Sequence, residues 1–306
     1  MIVLLTGGTG GAKLVQGLSL VVAPEELFVI CNTADDFLVH GLHISPDLDT
    51  VTYTLAGISD PSKGWGIKED TFAVLNELKK LGGEGWFQLG DRDLGVHILR
   101  SSLLREGLAL SQITKRIRKA LGIDVAVIPM SDDRVETRIV TEKGELSFQE
   151  YFVRDRWSAD VSRIFFAGAE RSRPAPGILE MISEASAMVL CPSNPVTSIG
   201  PILAVPGIRD ALIKTPAKKI AVSPMIGGKP VSGPAHKFLK AMGVEVSAFG
   251  VANIYRDFLD TLLIATEDDG LNRRIEGLGI RPITTSIRMD SMHGKKRLAR
   301  ELLSLL

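Results

Sequence analysis

Cysteine, aromatic side chains and net charge are all scarce in this chain, and each scarcity removes a class of explanation. The 306 residues hold two cysteines, Cys31 and Cys191, both inside apolar runs (LFVICN and MVLCP). Thiols in such settings read as buried and reduced, not as a disulfide framework or a metal knuckle. The 36 basic side chains balance 36 acidic ones, so no global field draws the protein onto nucleic acid or an anionic membrane, and a small-molecule partner is expected. No apolar run approaches the roughly 20 residues of a bilayer span. The opening MIVLL is too short for a signal-peptide core and lacks the basic residues that should precede one, so a cytoplasmic location is expected. Aromatic residues make up 6%, which turns attention to Trp65 and Trp86, either packed in a core or walling a flat-ring pocket.

What the chain has in abundance is short apolar runs: IVLL (2–5), LFVI (27–30), VAVI (125–128), RIFFA (163–167), MVLC (188–191), KIAVS (219–223), VSAFG (246–250) and TLLIA (261–265). Runs of this kind suit strands buried on both faces of a parallel sheet. Helix-length segments separate many of them, among them Lys13 to Val22, Pro201 to Ile213 and Pro234 to Met242. The rhythm predicts an α/β fold: a Rossmann-like, doubly wound, mostly parallel sheet in three α/β/α layers. From about Glu69 to Leu121 the rhythm stops and helical periodicity takes over, as in EDTFAVLNELKKLGG, DLGVHILRSSLLREG and LSQITKRIRKALG. The expected division is therefore a nucleotide-binding domain over 1–55 and 123–306, with a small helical insertion over 56–122. VETRIVTEKGELSFQEYFV (135–153) predicts a hairpin around Glu142-Lys143-Gly144, appended to the sheet.

In a doubly wound sheet, ligands gather beyond the carboxyl ends of the strands. After the first run comes TGGTGGAK (6–13), which is neither G-x-G-x-x-G, since Lys13 stands at the third glycine, nor a Walker loop, since no hydroxyl follows the lysine. Both share one physical device: glycines let backbone approach an anion, and the following helix offers free N–H groups and a positive dipole end. A tight strand-to-helix turn without a ligand would look the same. NTADD (32–36) and ISPDLDT (44–50) cluster Asp35, Asp36, Asp47 and Asp49, a set that suits Mg²⁺ beside a phosphate or plain helix caps and turns. PSNPVTSIGP offers Ser193, Asn194, Thr197 and Ser198 at a helix start, and GGKPVSGPAH repeats the arrangement, so a ligand with two phosphates is inferred. GDRDLGVHILR (90–100) gathers Asp91, Arg92, Asp93 and His97, as a site or as a salt-bridged helix start.

In this order, TGGTGGAK, NTADD, HGLHISPDLDTVTYTLAG, GWGIKEDTF, LGDRDLGVHILR, MSDDRVET, PSNPVTSIGPIL and SPMIGGKPVSGPAH, the motifs resemble the 2-phospho-L-lactate transferase (CofD-like) family over Met1 to about Asp257. The resemblance implies a Mg²⁺-dependent homodimeric transferase. It would move a 2-phospholactyl group from lactyl-2-diphospho-5'-guanosine to the ribityl hydroxyl of 8-hydroxy-5-deazariboflavin (Fo), releasing GMP, in coenzyme F(420) biosynthesis. In some members the donor carries an enolpyruvyl group. By match to the family pattern, Asp49 of PDLDT and Arg92 of GDRD serve the acceptor, with Asp49 also a candidate proton acceptor. Gly7, Gly8, Thr9, Gly10, Asn32, Asn194 and Ser198 face the donor nucleotide, and Asp49 and Asp36 hold the metal. A regulatory family that binds nucleotide sugars shares the opening loop and core but lacks PDLDT and GDRD. An NAD-dependent oxidoreductase is disfavoured by Lys13 and by Asn32, which stands where a ribose-binding acid belongs. Nothing is assigned beyond Asp257.

Overall fold

The computed structural model describes residues 1–306. Seven strands form one parallel sheet: β1 (Ile2–Thr6), β2 (Leu27–Cys31), β3 (Ala126–Pro129), β4 (Ala187–Leu190), β5 (Lys218–Val222), β6 (Thr261–Ala265) and β7 (Arg281–Thr285). Their spatial order is β3-β2-β1-β4-β5-β6-β7, every neighbouring pair parallel. This is the Rossmann order extended by one strand, and it reverses direction between β1 and β4, the place where such sheets open a ligand crevice. Both faces are buried. Val3 and Leu5 point into a core with the helices Ile178–Glu184, Ile199–Ala204, Ile208–Lys214 and Ala248–Tyr255. Ile2 and Leu4 point into the opposite core with α1 (Gly8–Ser19), α2 (Pro46–Leu55) and the C-terminal helix Met292–Leu303. Each edge strand carries a proline, Pro129 in β3 and Pro282 in β7.

Residues 56–122 hold α3 (Ala73–Lys80), α4 (Asp91–Arg105) and α5 (Leu110–Ala120), with only a single bridge, Ser59 to Ile67, in extended pairing. Leu103, Ile113 and Ile117 give α4 and α5 a small core of their own. A second small cluster joins Val39 and Ile44, from the antiparallel pair Phe37–Val39 and Leu42–Ile44, to Leu89 and Leu94.

Four expectations need correction. RIFFA lies in Val161–Ala167, which is not a strand of the parallel sheet but pairs antiparallel with Glu136–Thr141. That strand in turn pairs with Gly144–Ser147, so the predicted hairpin belongs to a separate three-stranded sheet. The physical reason is that Ser162 and Arg163 of this run stay exposed, as only a half-solvated strand permits. VSAFG is not a strand: Ser247 accepts a hydrogen bond from the Gly250 N–H and caps the helix Ala248–Tyr255. The segment from Pro201 to Ile213 is two helices, interrupted at Pro206 and at Gly207, whose φ of 90° is left-handed.

Candidate active site

The loops after β1, β2, β4 and β5 open onto one cavity of about 690 Å³. Its floor is the switch point. Here the glycines of the first loop serve the protein's own packing. A Cβ on Gly7 would lie 2.5 Å from Asp47 Oδ2 and 2.7 Å from Ser198 Cβ, and one on Gly10 would lie 2.6 Å from the Pro192 carbonyl oxygen. Ser193 fastens the two loops, its hydroxyl donating to the Gly7 carbonyl (2.7 Å) and accepting from the Gly7 N–H (3.1 Å). Asn194 closes its own turn by accepting from the Val196 and Thr197 N–H groups. Gly7, Gly8, Thr9, Gly10, Asn194 and Ser198 all line the cavity, beside the start of α1. Of the residues expected at the nucleotide, only Asn32 does not. It is fully buried, donating to Asp47 Oδ2 (2.9 Å) and to the Thr197 carbonyl (3.3 Å). Asn32 thus ties three loops together from below.

Asp47 and Asp49 both fall in the first turn of α2, where a helix N-terminus favours negative charge and Pro46 at the first position costs nothing. Their surroundings then separate them. Asp49 is clamped by Arg100, 2% exposed, through Nη1 to Oδ2 (3.0 Å) and a closer Nη2 to Oδ1 contact. Asp47 has no basic partner. Burial pushes its carboxyl up to about 6, outweighing the Asn32 amide. Burial, with Asp47 next, also raises Asp35 well above the carboxylate range, and Asp35 Oδ1 has no partner. Asp36 bonds His43 Nε2 (2.9 Å) and Ser45 Oγ (2.6 Å) and does not line the main cavity.

The pair expected at a metal is therefore committed elsewhere, Asp49 to Arg100 and Asp36 to His43. No group of three or more His, Cys, Asp or Glu side chains could hold a metal ion by itself. Three carboxylates on the cavity wall lack a basic partner, the buried Asp47 and Asp35 and the exposed Asp290, and the first two lie beside the glycine loop and its neighbour. The chemistry of those two fits a hard cation that takes two carboxylates and completes its shell with substrate oxygens.

GDRD divides in the same way. Asp91 accepts from Thr71 Oγ1 and from the Ala73 and Val74 N–H groups, so it caps α3, while Asp70 accepts from the Arg92 and Asp93 N–H groups and caps α4. Arg92 is exposed, donates to the Lys68 carbonyl (3.3 Å) and is not on the cavity wall, so the structure does not bring it together with Asp49. Asp93 and His97, one turn apart, do reach the cavity. His97 Nε2 lies 3.1 Å from Asp93 Oδ1, and Nδ1 lies 3.3 Å from Arg100 Nη1. Because a guanidinium only donates, Nδ1 is the acceptor and the proton sits on Nε2, close to Asp93 but not aligned for a hydrogen bond. Tyr53 donates to the same Asp93 oxygen at 2.5 Å. Burial raises the Asp93 carboxyl, but His97 and Tyr53 outweigh it and leave the group below the usual range. Arg100 is not singled out by any motif, although Asp93, His97 and Arg100 at i, i+4 and i+7 mark one face of a helix.

Aromatic side chains cover part of the remaining wall. Phe148 and Phe152 stack at 5.4 Å and 10°, and both line the cavity with Trp65 and Phe87. Trp86 instead packs on Phe37 and Phe87. Cys31 and Cys191 are buried free thiols, raised by burial, Cys191 to about 12. No helix is long and apolar enough to cross a membrane.

Comparison with known proteins places this arrangement. Residues 2–299 match the family described as 2-phospho-L-lactate transferase CofD, well past the limit near Asp257 reached by motif. The chain is 45% identical to a phosphoenolpyruvate transferase of Kitasatospora aureofaciens, over 99% of this chain and 97% of that one. It is 41% identical to a 2-phospho-L-lactate transferase of Methanosarcina mazei, over 97% of each. Among solved structures, a UPF0052-family protein of Bacillus halodurans superposes with a TM-score of 0.66 at 19% identity, covering 99% of this chain and 98% of that one, a likeness of fold alone.

Proposed function

This chain belongs to the 2-phospho-L-lactate transferase CofD family, and from that premise we propose that it moves a 2-phospholactyl group from lactyl-2-diphospho-5'-guanosine to the ribityl hydroxyl of Fo, releasing GMP, in coenzyme F(420) biosynthesis. The observation that carries this reading is the single cavity itself. A glycine- and hydroxyl-lined floor lies at the switch point, and an aromatic and acidic wall is built from α2, α4 and the antiparallel sheet. A diphosphate suits the first and a flat polyol-bearing ring the second.

In this reading the hydroxyl attacks the distal phosphorus while the bond to the GMP oxygen breaks, and the hydroxyl proton passes to a carboxylate. Asp49, fixed by Arg100 and backed by His97 and Asp93, positions the hydroxyl, so the work of these residues is alignment. Asp47 and Asp35 would hold Mg²⁺, which supplies charge neutralisation at the phosphates. Without a cation, Asp47 against Gly7 and Gly8 would repel the anion that the loop is built to receive. Arg92, on the exposed start of α4, would meet the acceptor at the rim. The insertion over 56–122 covers the acceptor side, and the protein works as a cytoplasmic homodimer.

A second donor, with enolpyruvate in place of lactate, is favoured by one observation: relatives bearing both names lie at similar identity, 45% and 41%. The test is to incubate the protein with Fo, Mg²⁺ and each donor in turn and identify the product by mass spectrometry. A phosphodiester-linked deazaflavin with one donor, abolished by EDTA and restored by added Mg²⁺, is expected. No product with either donor overturns the proposal.

A further inference from the structure

A donor of this kind carries two anionic ends, the diphosphate and the free carboxylate of the lactate joined to it through its 2-hydroxyl, and the cavity has three cationic side chains on its wall, Lys13, Lys63 and Arg288. Arg288 is paired with Glu267 at 3.2 Å. Lys13 belongs to α1, directly after the glycine loop. Lys63 comes from the other side, on the turn between Ser59 and Ile67 that begins the insertion.

That turn is fastened to the glycine loop. Thr9 Oγ1 donates to the Gly64 carbonyl at 3.2 Å, and Gly64 has a φ of 76° with Thr9 Cγ2 only 2.6 Å from where a Cβ would stand. Any side chain there would push the two loops apart, so glycine is what brings Lys63 to within one residue of the phosphate floor. The ammonium is oriented by aromatic faces, 5.3 Å from the centroid of Trp65 and 5.0 Å from that of Phe72. Its ion pair is loose: Asp60 Oδ2 lies 3.6 Å away, while Asp60 Oδ1 accepts from the hydroxyl (2.6 Å) and N–H (2.9 Å) of Ser62, which hold the carboxylate in its own turn. Lys63 is thus a cation on the cavity wall with a loose ionic partner, on the insertion side of the phosphate floor.

We infer that Lys63 binds the free carboxylate of the transferred phospholactyl group, and so selects donors that carry one. This rests on the function proposed above. The test compares two ligands, guanosine 5'-diphosphate esterified at its distal phosphate through the 2-hydroxyl of lactate, and the same diphosphate esterified with isopropanol, which has a neutral methyl group in place of the carboxylate. By calorimetry the wild-type protein should bind the lactyl ester at least ~10-fold more tightly than the isopropyl ester, the scale of one charge-assisted hydrogen bond. Lys63→Met, which keeps the apolar stem, should erase that difference while GDP affinity stays within about 2-fold, and Lys63→Arg should restore most of it. A wild-type protein that binds both esters equally, or a Lys63→Met variant that keeps the preference or loses GDP affinity to the same extent, overturns the inference and leaves the function standing. A wild-type protein that binds neither GDP nor either ester overturns both.

Discussion

Replacing Arg100 by methionine is the sharpest probe of how the acceptor wall is held. Arg100 is 2% exposed, and its partner Asp49 is 6% exposed. Methionine fills a similar length of apolar stem, so the loss of packing is small and the change isolates the charge. It leaves the Asp49 carboxylate, 6% exposed at the cavity wall, with no cation beside it and the Nδ1 of His97 at 3.6 Å. Breaking a buried pair by removing one partner costs about 3–5 kcal/mol, because the remaining charge has lost its compensation, not because the pair was worth that much. At roughly 2 °C per kcal/mol for a chain of this size, the melting temperature should fall by about 6–10 °C. The double variant Asp49→Asn/Arg100→Met removes both charges and should recover at least half of that loss, a coupling of about 2 kcal/mol or more. Calorimetry on the wild type, both single variants and the double variant closes the cycle. A single Arg100→Met variant that loses less than about 1 kcal/mol, or a double variant no more stable than the single, refutes the picture of Asp49 as a buried charge that depends on Arg100.

Two further outcomes follow from the floor of the cavity. Asp47 is raised from 3.8 to about 6, so between those values the folded state binds the extra proton and stability must fall as pH rises. In metal-free buffer the wild type should lose about 1.4 kcal/mol from this group between about pH 5 and pH 8. Asp47→Asn should be flatter over that range, and equal slopes in urea titrations would remove Asp47 as the source. For Gly10, a methyl group would stand 2.6 Å from the backbone carbonyl of Pro192, which no side-chain rotation relieves. Gly10→Ala should therefore lower both stability and GDP affinity, and an alanine variant with wild-type melting and binding would show that the two loops do not need this contact.

The sheet was legible because its central strands are buried on both faces, so their sequences are continuous apolar runs that admit few other readings. Where burial is one-sided, the signal weakened. Val161–Ala167 is nowhere fully buried, yet its continuous RIFFA run reads like a central strand. RPITT went unread, since an edge strand with an arginine, a proline and two threonines looks like a loop. VSAFG misled because a short apolar run does not distinguish strand from helix, and only the serine cap decided it. At the site, residue types that cluster in sequence were found: the glycine loop, the four aspartates and Asn194 to Ser198. What the sequence could not apportion was which polar group faces inward. Asn32 and Asp91 carry the chemistry of ligand residues but spend it on neighbouring backbone and on Asp47. Lys63 gave no signal, because its placement depends on a contact between Thr9 and Gly64, 55 positions apart.

Pro129 and Pro282 close both ends of the parallel sheet. An edge strand is a template on which another chain can add a strand, and a proline removes one of the donors that such growth requires. With one at each margin, the sheet resists lengthening in either direction, even though its middle strands are the sort of dense β-branched sequence that aggregates when exposed. Self-association of this protein is thereby steered away from backbone ladders and onto side-chain surfaces. The same strands can stay intensely apolar for the sake of the core without becoming a seed for fibres.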